Sequence, residues 1–129
     1  MGCHAQIWSN SPELTPIREA YFSGAPLAWN RVTRLPAFVF FDHSIHVGKG
    51  VGCVSCHGHV DRMAEVYAVE PLTMKFCLDC HRSPDAHLRP LAEIANMDWQ
   101  SPASGPQSGA RLRQRLAVQP QTDCTTCHR

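Results

Sequence analysis

Hydrophobic and polar positions follow no sustained helical or alternating period along this chain, so secondary structure is expected to be sparse. Prolines and glycines divide the chain into short segments. The predicted elements are short helices at residues 13–22, 91–99 and 110–118, one or two helical turns within residues 60–70, and either a strand or a set of apolar contacts at residues 38–41. The pattern predicts few short helices joined by long loops, with little or no sheet.

One five-residue pattern, Cys-x-x-Cys-His, occurs three times, at residues 53–57, 77–81 and 124–128. This is the attachment pattern of c-type haem. The two thiols add across the haem vinyl groups, and the adjacent imidazole becomes the proximal iron ligand. The predicted attachment residues are Cys53, Cys56, Cys77, Cys80, Cys124 and Cys127, and the predicted proximal ligands are His57, His81 and His128.

Zinc is the main alternative use of these cysteines. The first two Cys-x-x-Cys pairs are 20 residues apart, at the upper edge of zinc-ribbon spacing. Zinc does not account for a histidine directly after each of three pairs, and the third pair has no fourth pair to complete a second site. A disulfide framework is weaker still, because two-residue spacers strain the bridge and seven cysteines leave one over. Haem is favoured, with a zinc-binding structural or interaction module as the alternative.

Composition and charge narrow the other function classes. Hydrophobic residues make up 43% of the 129 residues, beside 10 prolines and 8 glycines, which suits a core that is partly porphyrin. The net charge of +1 argues against nucleic-acid binding. No apolar run approaches the 18 residues that a membrane span needs.

The start of the chain carries the seventh cysteine, Cys3, followed by His4. It has no secretory signal, although haem attachment to this motif takes place outside the cytoplasm. A cysteine placed before Met1 would complete a fourth motif, so we expect a truncated haem site with His4 as its ligand and an export segment absent from this chain. An ordinary N-terminus with a stray thiol is the alternative. The predicted organisation is an N-terminal wrapping segment, residues 1–36, and a three-haem domain, residues 37–129.

A low-spin electron-transfer haem needs a second axial ligand, usually His or Met. His43 and His46 stand three residues apart before the first motif, so one helical turn can direct them towards two different irons. His87 is a third candidate, and Met74 is a candidate thioether ligand. We expect two histidine ligands on at least two haems, which gives lower potentials than a histidine–methionine pair.

The run Phe41-Asp42-His43-Ser44-Ile45-His46, followed by the motif at residues 53–57, resembles the F-x-H-x-x-H…C-x-x-C-H arrangement of class III multihaem cytochromes of the c3/c7 type. In that family the first histidine of the pair is the distal ligand of the haem that follows it, and the second reaches a different haem. The resemblance implies that His43 serves the haem on Cys53 and Cys56, and that His46 serves another.

A wider similarity covers nearly the whole chain. Residues 3–8, 35–41, 71–74 and 80–84 resemble the pentahaem cytochrome subunit of alternative complex III, which oxidises quinol in some bacterial respiratory chains. This chain resembles a C-terminal three-haem piece of that subunit, without its membrane-anchored region. The resemblance implies partners among the subunits of a respiratory membrane complex, or another cytochrome, on the periplasmic side of the membrane.

Together these observations predict a small multihaem cytochrome, with few short helices and long loops wrapped around three covalent haems. Its expected role is electron transfer within a respiratory complex. No catalysis at a substrate is expected, because nothing in the sequence marks an open iron site.

Overall fold

The computed structural model describes residues 6–128 and divides the chain into two compact units, Met1–Arg31 and Val32–Arg129. The sequence-based boundary falls after residue 36, and both positions lie in the same helix-free segment, residues 24–36. Cys3 and His4 lie outside the described residues, so the expected truncated haem site stays a prediction.

Within residues 6–31, the first unit contains one α-helix preceded by a 3₁₀ turn. A 3₁₀ turn, Pro12–Leu14, leads into α1, Thr15–Ser23, and Gly24 ends the helix in the left-handed conformation with φ = 69°. Arg18 ties the start together, since its guanidinium donates to the Ser11 carbonyl oxygen at 2.9 Å and to Thr15 Oγ1 at 3.0 Å. The helix predicted over residues 13–22 is confirmed, with a 3₁₀ first turn.

The second unit is built from short helices and loops. Its α-helices are α2, His43–Gly48; α3, Val54–His57; α4, Met74–Arg82; α5, Gly109–Arg115; and α6, Cys124–Cys127. Further 3₁₀ turns are Val60–Arg62, Pro84–His87 and Leu91–Glu93. Between residues 6 and 128 there is no sheet, only two isolated antiparallel bridges, Val39 with His128 and Val51 with Leu88. The predicted fold class, few short helices and long loops, is confirmed.

The helix expected from Leu91 to residue 99 is wrong, because the chain forms only the 3₁₀ turn Leu91–Glu93 there. Local side chains compete with helical hydrogen bonding beyond this turn. Asn96 Nδ2 donates to Glu93 Oε2 at 2.8 Å, and Asn96 Oδ1 accepts from the Asp98 backbone N–H at 3.1 Å. Such side chains satisfy the backbone in turns, which ends the helix early.

The polypeptide core of the second unit is small and centres on Leu88 and Leu112, whose side chains are fully buried. Helix α5 packs against the turn Pro84–His87, so the basic helix predicted at residues 110–118 carries a buried apolar residue as well as its arginines. Lys49 Nζ donates to the Leu116 carbonyl oxygen at 3.0 Å and fastens the end of α2 to the end of α5.

Many large apolar side chains of the second unit are exposed, which is unusual for a polypeptide that supplies its own core. They include Phe38, Phe40, Phe41, Ile45, Val47, Val66, Tyr67, Val69, Met74 and Leu91. Each helix within residues 6–128 is too short or too polar to cross a bilayer.

Gly109 marks the tightest contact between α5 and its neighbour. A Cβ at this position would lie 1.9 Å from the Asp85 carbonyl oxygen, which is backbone and cannot move aside. We expect Gly109→Ala to lower the free energy of unfolding of the intact protein by about 1–3 kcal/mol, as overpacked sites do. Chemical denaturation followed by circular dichroism measures the change.

Gly48→Ala is the matched control, because a Cβ at residue 48 meets nothing within 4 Å. Its unfolding free energy should stay within about 0.5 kcal/mol of that of the original protein. Equal stability of both variants would contradict the packing described for α5.

Candidate haem sites

Each Cys-x-x-Cys-His motif lies on a short helix. Cys53 caps α3, Cys77 and Cys80 lie within α4, and α6 runs from Cys124 to Cys127. Helical spacing brings the first cysteine, the second cysteine and the histidine to one side of the helix, at positions i, i+3 and i+4. The first two motifs have this helical geometry throughout, whereas α6 ends at Cys127 and His128 follows it in an extended conformation.

Helix α2 carries the two candidate distal histidines, and Asp42 fixes where this helix begins. The Asp42 carboxylate accepts hydrogen bonds from the Ser44 backbone N–H and from Ser44 Oγ, both at 2.7 Å. These hydrogen bonds from Ser44 lower the pKa of Asp42, so the cap is ionised at neutral pH. With the start fixed, His43 takes the first helical position and His46 lies one turn further on.

The two distal candidates face two different motifs. The ring of His43 lies 6.2 Å from the ring of His57, centre to centre, and the two planes are within 10° of parallel. The ring of His46 lies 6.1 Å from the ring of His81, with an angle of 46° between the planes. His43 and His46, one turn apart on α2, therefore face the histidines of two different motifs.

Both separations fit two imidazoles on opposite sides of one iron. A metal–imidazole bond is about 2 Å long, and the ring centre lies about 1 Å beyond the bonded nitrogen. Two axial rings are therefore expected about 6 Å apart, as the pairs His43–His57 and His46–His81 are. The residues present fit haem.

The hydrogen bonds of the second pair hold its rings in the tautomer that a metal needs. His46 Nδ1 is 2.8 Å from the Asp42 carbonyl oxygen, and His81 Nδ1 is 2.6 Å from the Gln121 carbonyl oxygen. A carbonyl oxygen only accepts, so each Nδ1 carries the proton and donates it. The lone pair on each Nε2 is left free to bind iron, an arrangement common in metal-binding histidines.

Phe41 contacts both distal candidates. Its ring centre is 4.7 Å from that of His43, edge to face, and 4.6 Å from that of His46. The phenyl ring thereby restricts the rotation of both imidazoles from one side. Phe41 is part of the run, residues 41–46, that resembles class III multihaem cytochromes. Its contact with both histidine rings is visible only in the structure.

The third motif is held by the segment that precedes α2. The Phe40 backbone N–H donates to the Cys127 carbonyl oxygen at 2.8 Å, beside the bridge between Val39 and His128. The ring of Phe38 lies 5.8 Å from that of His128. Residues 38–40 therefore form apolar contacts and one bridge, not a strand.

The other candidate ligands lie elsewhere. His87 is half-buried and ends the turn Pro84–His87, where its carbonyl oxygen accepts from the Gly52 N–H at 3.2 Å. Met74 begins α4 with 61% of its surface exposed. Their roles as distal ligands stay predictions, and His4 lies outside the described residues.

The thiols of the three motifs lie close enough to influence one another. Burial and the neighbouring thiols of Cys80 and Cys77 raise the pKa of Cys56 to about 11. The pKa of Cys77 is also raised, first by burial and then by Cys127 of the third motif. Burial likewise raises the pKa of Cys80. The three attachment sites are thus neighbours, and these thiols stay protonated at neutral pH.

Among residues 6–128, no group of three or more His, Cys, Asp or Glu side chains is arranged to hold a metal ion directly. The zinc alternative is not favoured. Haem attachment uses the same residues differently. The two cysteines of a motif bind the porphyrin, and only the imidazole binds the iron.

Asp42 and Gln121 both support the site, but only the role of Asp42 could be predicted from the sequence. An Asp before a short helical run is an N-cap signal, so the role of Asp42 was open to prediction. Gln121 acts on His81 through its backbone carbonyl, which leaves no trace in residue type. A long-range contact of this kind appears only in the fold.

The family of cytochrome c7 and related cytochrome c matches residues 39–129, which is more than two thirds of the chain. The matched span includes all three motifs and both histidines of α2. A comparison with curated proteins gives no match. Proteins of the matched family carry covalent haem c and transfer electrons, and a carrier role rather than an enzymatic one follows for this protein. By its matched span, the chain belongs to the cytochrome c7 and related cytochrome c family.

Proposed function

We propose that this protein conducts electrons through three covalent haems, one on each Cys-x-x-Cys-His motif, as part of a membrane-associated respiratory complex that oxidises quinol. The observation that carries the haem assignment is the pair of imidazole separations, 6.2 Å for His43–His57 and 6.1 Å for His46–His81. Both pairs have the spacing expected across one iron.

The proposed roles of the residues follow from their positions. Each bound haem supplies an iron that alternates between the ferric and ferrous states. The cysteines of each motif hold the porphyrin, and His57, His81 and His128 bind the proximal side. His43 binds the distal side at the first motif and His46 at the second. Because His43 and His46 lie one turn apart on the helix that Asp42 caps, the two sites would be close neighbours, which suits transfer between them.

Membership of a respiratory complex is the finer part of the proposal. Its support is the similarity of residues 3–8, 35–41, 71–74 and 80–84 to the pentahaem subunit of alternative complex III. A periplasmic location is proposed with it, because haem attachment to this motif takes place outside the cytoplasm. Quinol oxidation itself is assigned to the partner subunits.

The number of haems is tested by intact-mass spectrometry of the full chain, exported in a host that attaches c-type haem. We expect a mass increase of three haems and a pyridine haemochrome spectrum of the c type. Each double variant, Cys53→Ala/Cys56→Ala, Cys77→Ala/Cys80→Ala and Cys124→Ala/Cys127→Ala, should lose one haem.

Cys3→Ala is the control for this series, because Cys3 lies outside the three complete motifs and its loss should leave three haems. A colourless product with the mass of the bare polypeptide, or one loaded with zinc, would contradict the proposal.

The distal assignments are tested by His43→Ala and His46→Ala. Each substitution removes one axial nitrogen, so we expect one of the three haems to change from low spin to high spin. Electron paramagnetic resonance of the oxidised protein measures this change. His59→Ala is the control, because His59 is exposed and pairs with Asp61 at 3.5 Å. Spectra identical to those of the original protein in both variants would show that α2 does not supply the distal ligands.

The place in a complex is tested in membranes of the source cells. We expect the haem-stained chain to comigrate with quinol oxidation activity on a native gel, and deletion of its gene to lower that activity. The original gene should restore the activity, whereas the Cys53→Ala/Cys56→Ala variant should not. Recovery of the chain only in the soluble fraction, with quinol oxidation intact in the deletion strain, would rule out the complex.

A further inference from the structure

Arg89 is a buried cation with an unsatisfied donor. Only 4% of its surface is exposed, although arginine is rarely buried without a charged partner. Its Nη1 donates to the Asn96 carbonyl oxygen at 2.6 Å, and its guanidinium lies 5.4 Å from the ring centre of Trp99. Within the described part of the chain, Arg89 Nε is buried with no hydrogen-bond partner, and no carboxylate lies within ion-pair distance of this guanidinium.

The guanidinium lies directly against the first haem motif. A Cβ on Gly52 would be 2.0 Å from Arg89 Nε, so the side chain rests on the backbone of the residue that precedes Cys53. Burial lowers the pKa of Arg89, while Cys53 and Glu93 act in the opposite direction. An arginine side chain nevertheless stays charged at any ordinary pH. The contact with Gly52 therefore places this charge beside the first attachment cysteine, Cys53.

The backbone holds Arg89 in this place. Its N–H donates to the Gly50 carbonyl oxygen at 2.8 Å, next to the bridge between Val51 and Leu88. The Cys53 N–H donates to the Ile94 carbonyl oxygen at 3.1 Å, so the segment after Arg89 also encloses the motif. The charge is therefore fixed in position, not carried on a mobile side chain.

We propose that Arg89 is a buried positive charge that raises the midpoint potential of the haem on Cys53 and Cys56. Reduction adds one electron to the ferric iron and removes one unit of positive charge from the site, with no proton required from Arg89. A fixed cation in a poorly solvated place disfavours the ferric form and favours the ferrous form. The inference rests on the proposed haem at this motif.

The other two motifs have no comparable charge among the described residues. Lys75 next to the second motif is exposed and paired with Asp79, and Arg82 is exposed. Exposed charges are screened by water and salt, so they change a potential less. Arg89 is thus expected to act on one haem of the three, which makes the assignment testable.

The test is a potentiometric titration of the haem-loaded full chain carrying Arg89→Met, Arg89→Lys or Arg111→Met. For Arg89→Met, we expect one midpoint potential to fall, with at least a tenfold change in the reduction equilibrium, equivalent to about 59 mV for one electron. Arg89→Lys keeps the charge and should retain most of the original potential. Arg111 is exposed on α5, so Arg111→Met should leave all three potentials nearly unchanged.

A second variant covers the case in which Arg89→Met does not fold. Gly52→Ala keeps the arginine but pushes its guanidinium away from the motif, and should lower the same midpoint potential in part. Unchanged potentials in a fully haem-loaded Arg89→Met protein would overturn the proposal. Equal falls in Arg89→Met and Arg89→Lys would overturn it too, because they would indicate a structural role. The haem count is measured first, so absence of haem at the first motif is recorded separately as failure of the proposed function.

Discussion

The spacing between opposed imidazole rings is the constraint on which this molecule depends. Two imidazoles that bind one iron from opposite sides lie about 6 Å apart, ring centre to ring centre. The structure meets this requirement twice from one short helix, because the Asp42 cap fixes α2 and one helical turn separates His43 from His46. A shift of α2 by one residue would turn both rings away from their partners. The rest of the second unit can be understood as the means of keeping this helix and two motif helices in register.

Side chains that do not bind iron contribute to that register. Phe41 lies against both rings of α2, and the carbonyl oxygens of Asp42 and Gln121 orient the rings of His46 and His81. Gln121 comes just before the third motif, so the orientation of the second proximal histidine depends on the segment leading to the third. The three motifs are coupled through such contacts and through their neighbouring thiols, not through a common apolar core.

The chemistry was more predictable from sequence than the supporting structure. The motif and its spacing predict the attachment cysteines and proximal histidines, and position with family resemblance predicts His43 and His46 as distal ligands; the structure adds that each of these two rings lies about 6 Å from a histidine of a motif. The short helices α1 and α5 follow from local signals such as Pro12 and the basic run after Gly109. The predicted helix after Leu91 was wrong, since the amide of Asn96 and its neighbours favour a turn. Contacts between distant segments, such as Arg89 on Gly52, have no local signal, because they arise only when the loops fold together.

The lengths of the helices have a consequence for biogenesis. The longest ones between residues 6 and 128, Thr15–Ser23 and Met74–Arg82, have nine residues each, and helices shorter than about 12 residues are not stable on their own in water. We therefore expect a newly made chain of this kind to be largely unfolded before haem attachment, with its cysteines accessible. On this expectation thioether formation would come first, and binding of the distal imidazoles would complete folding.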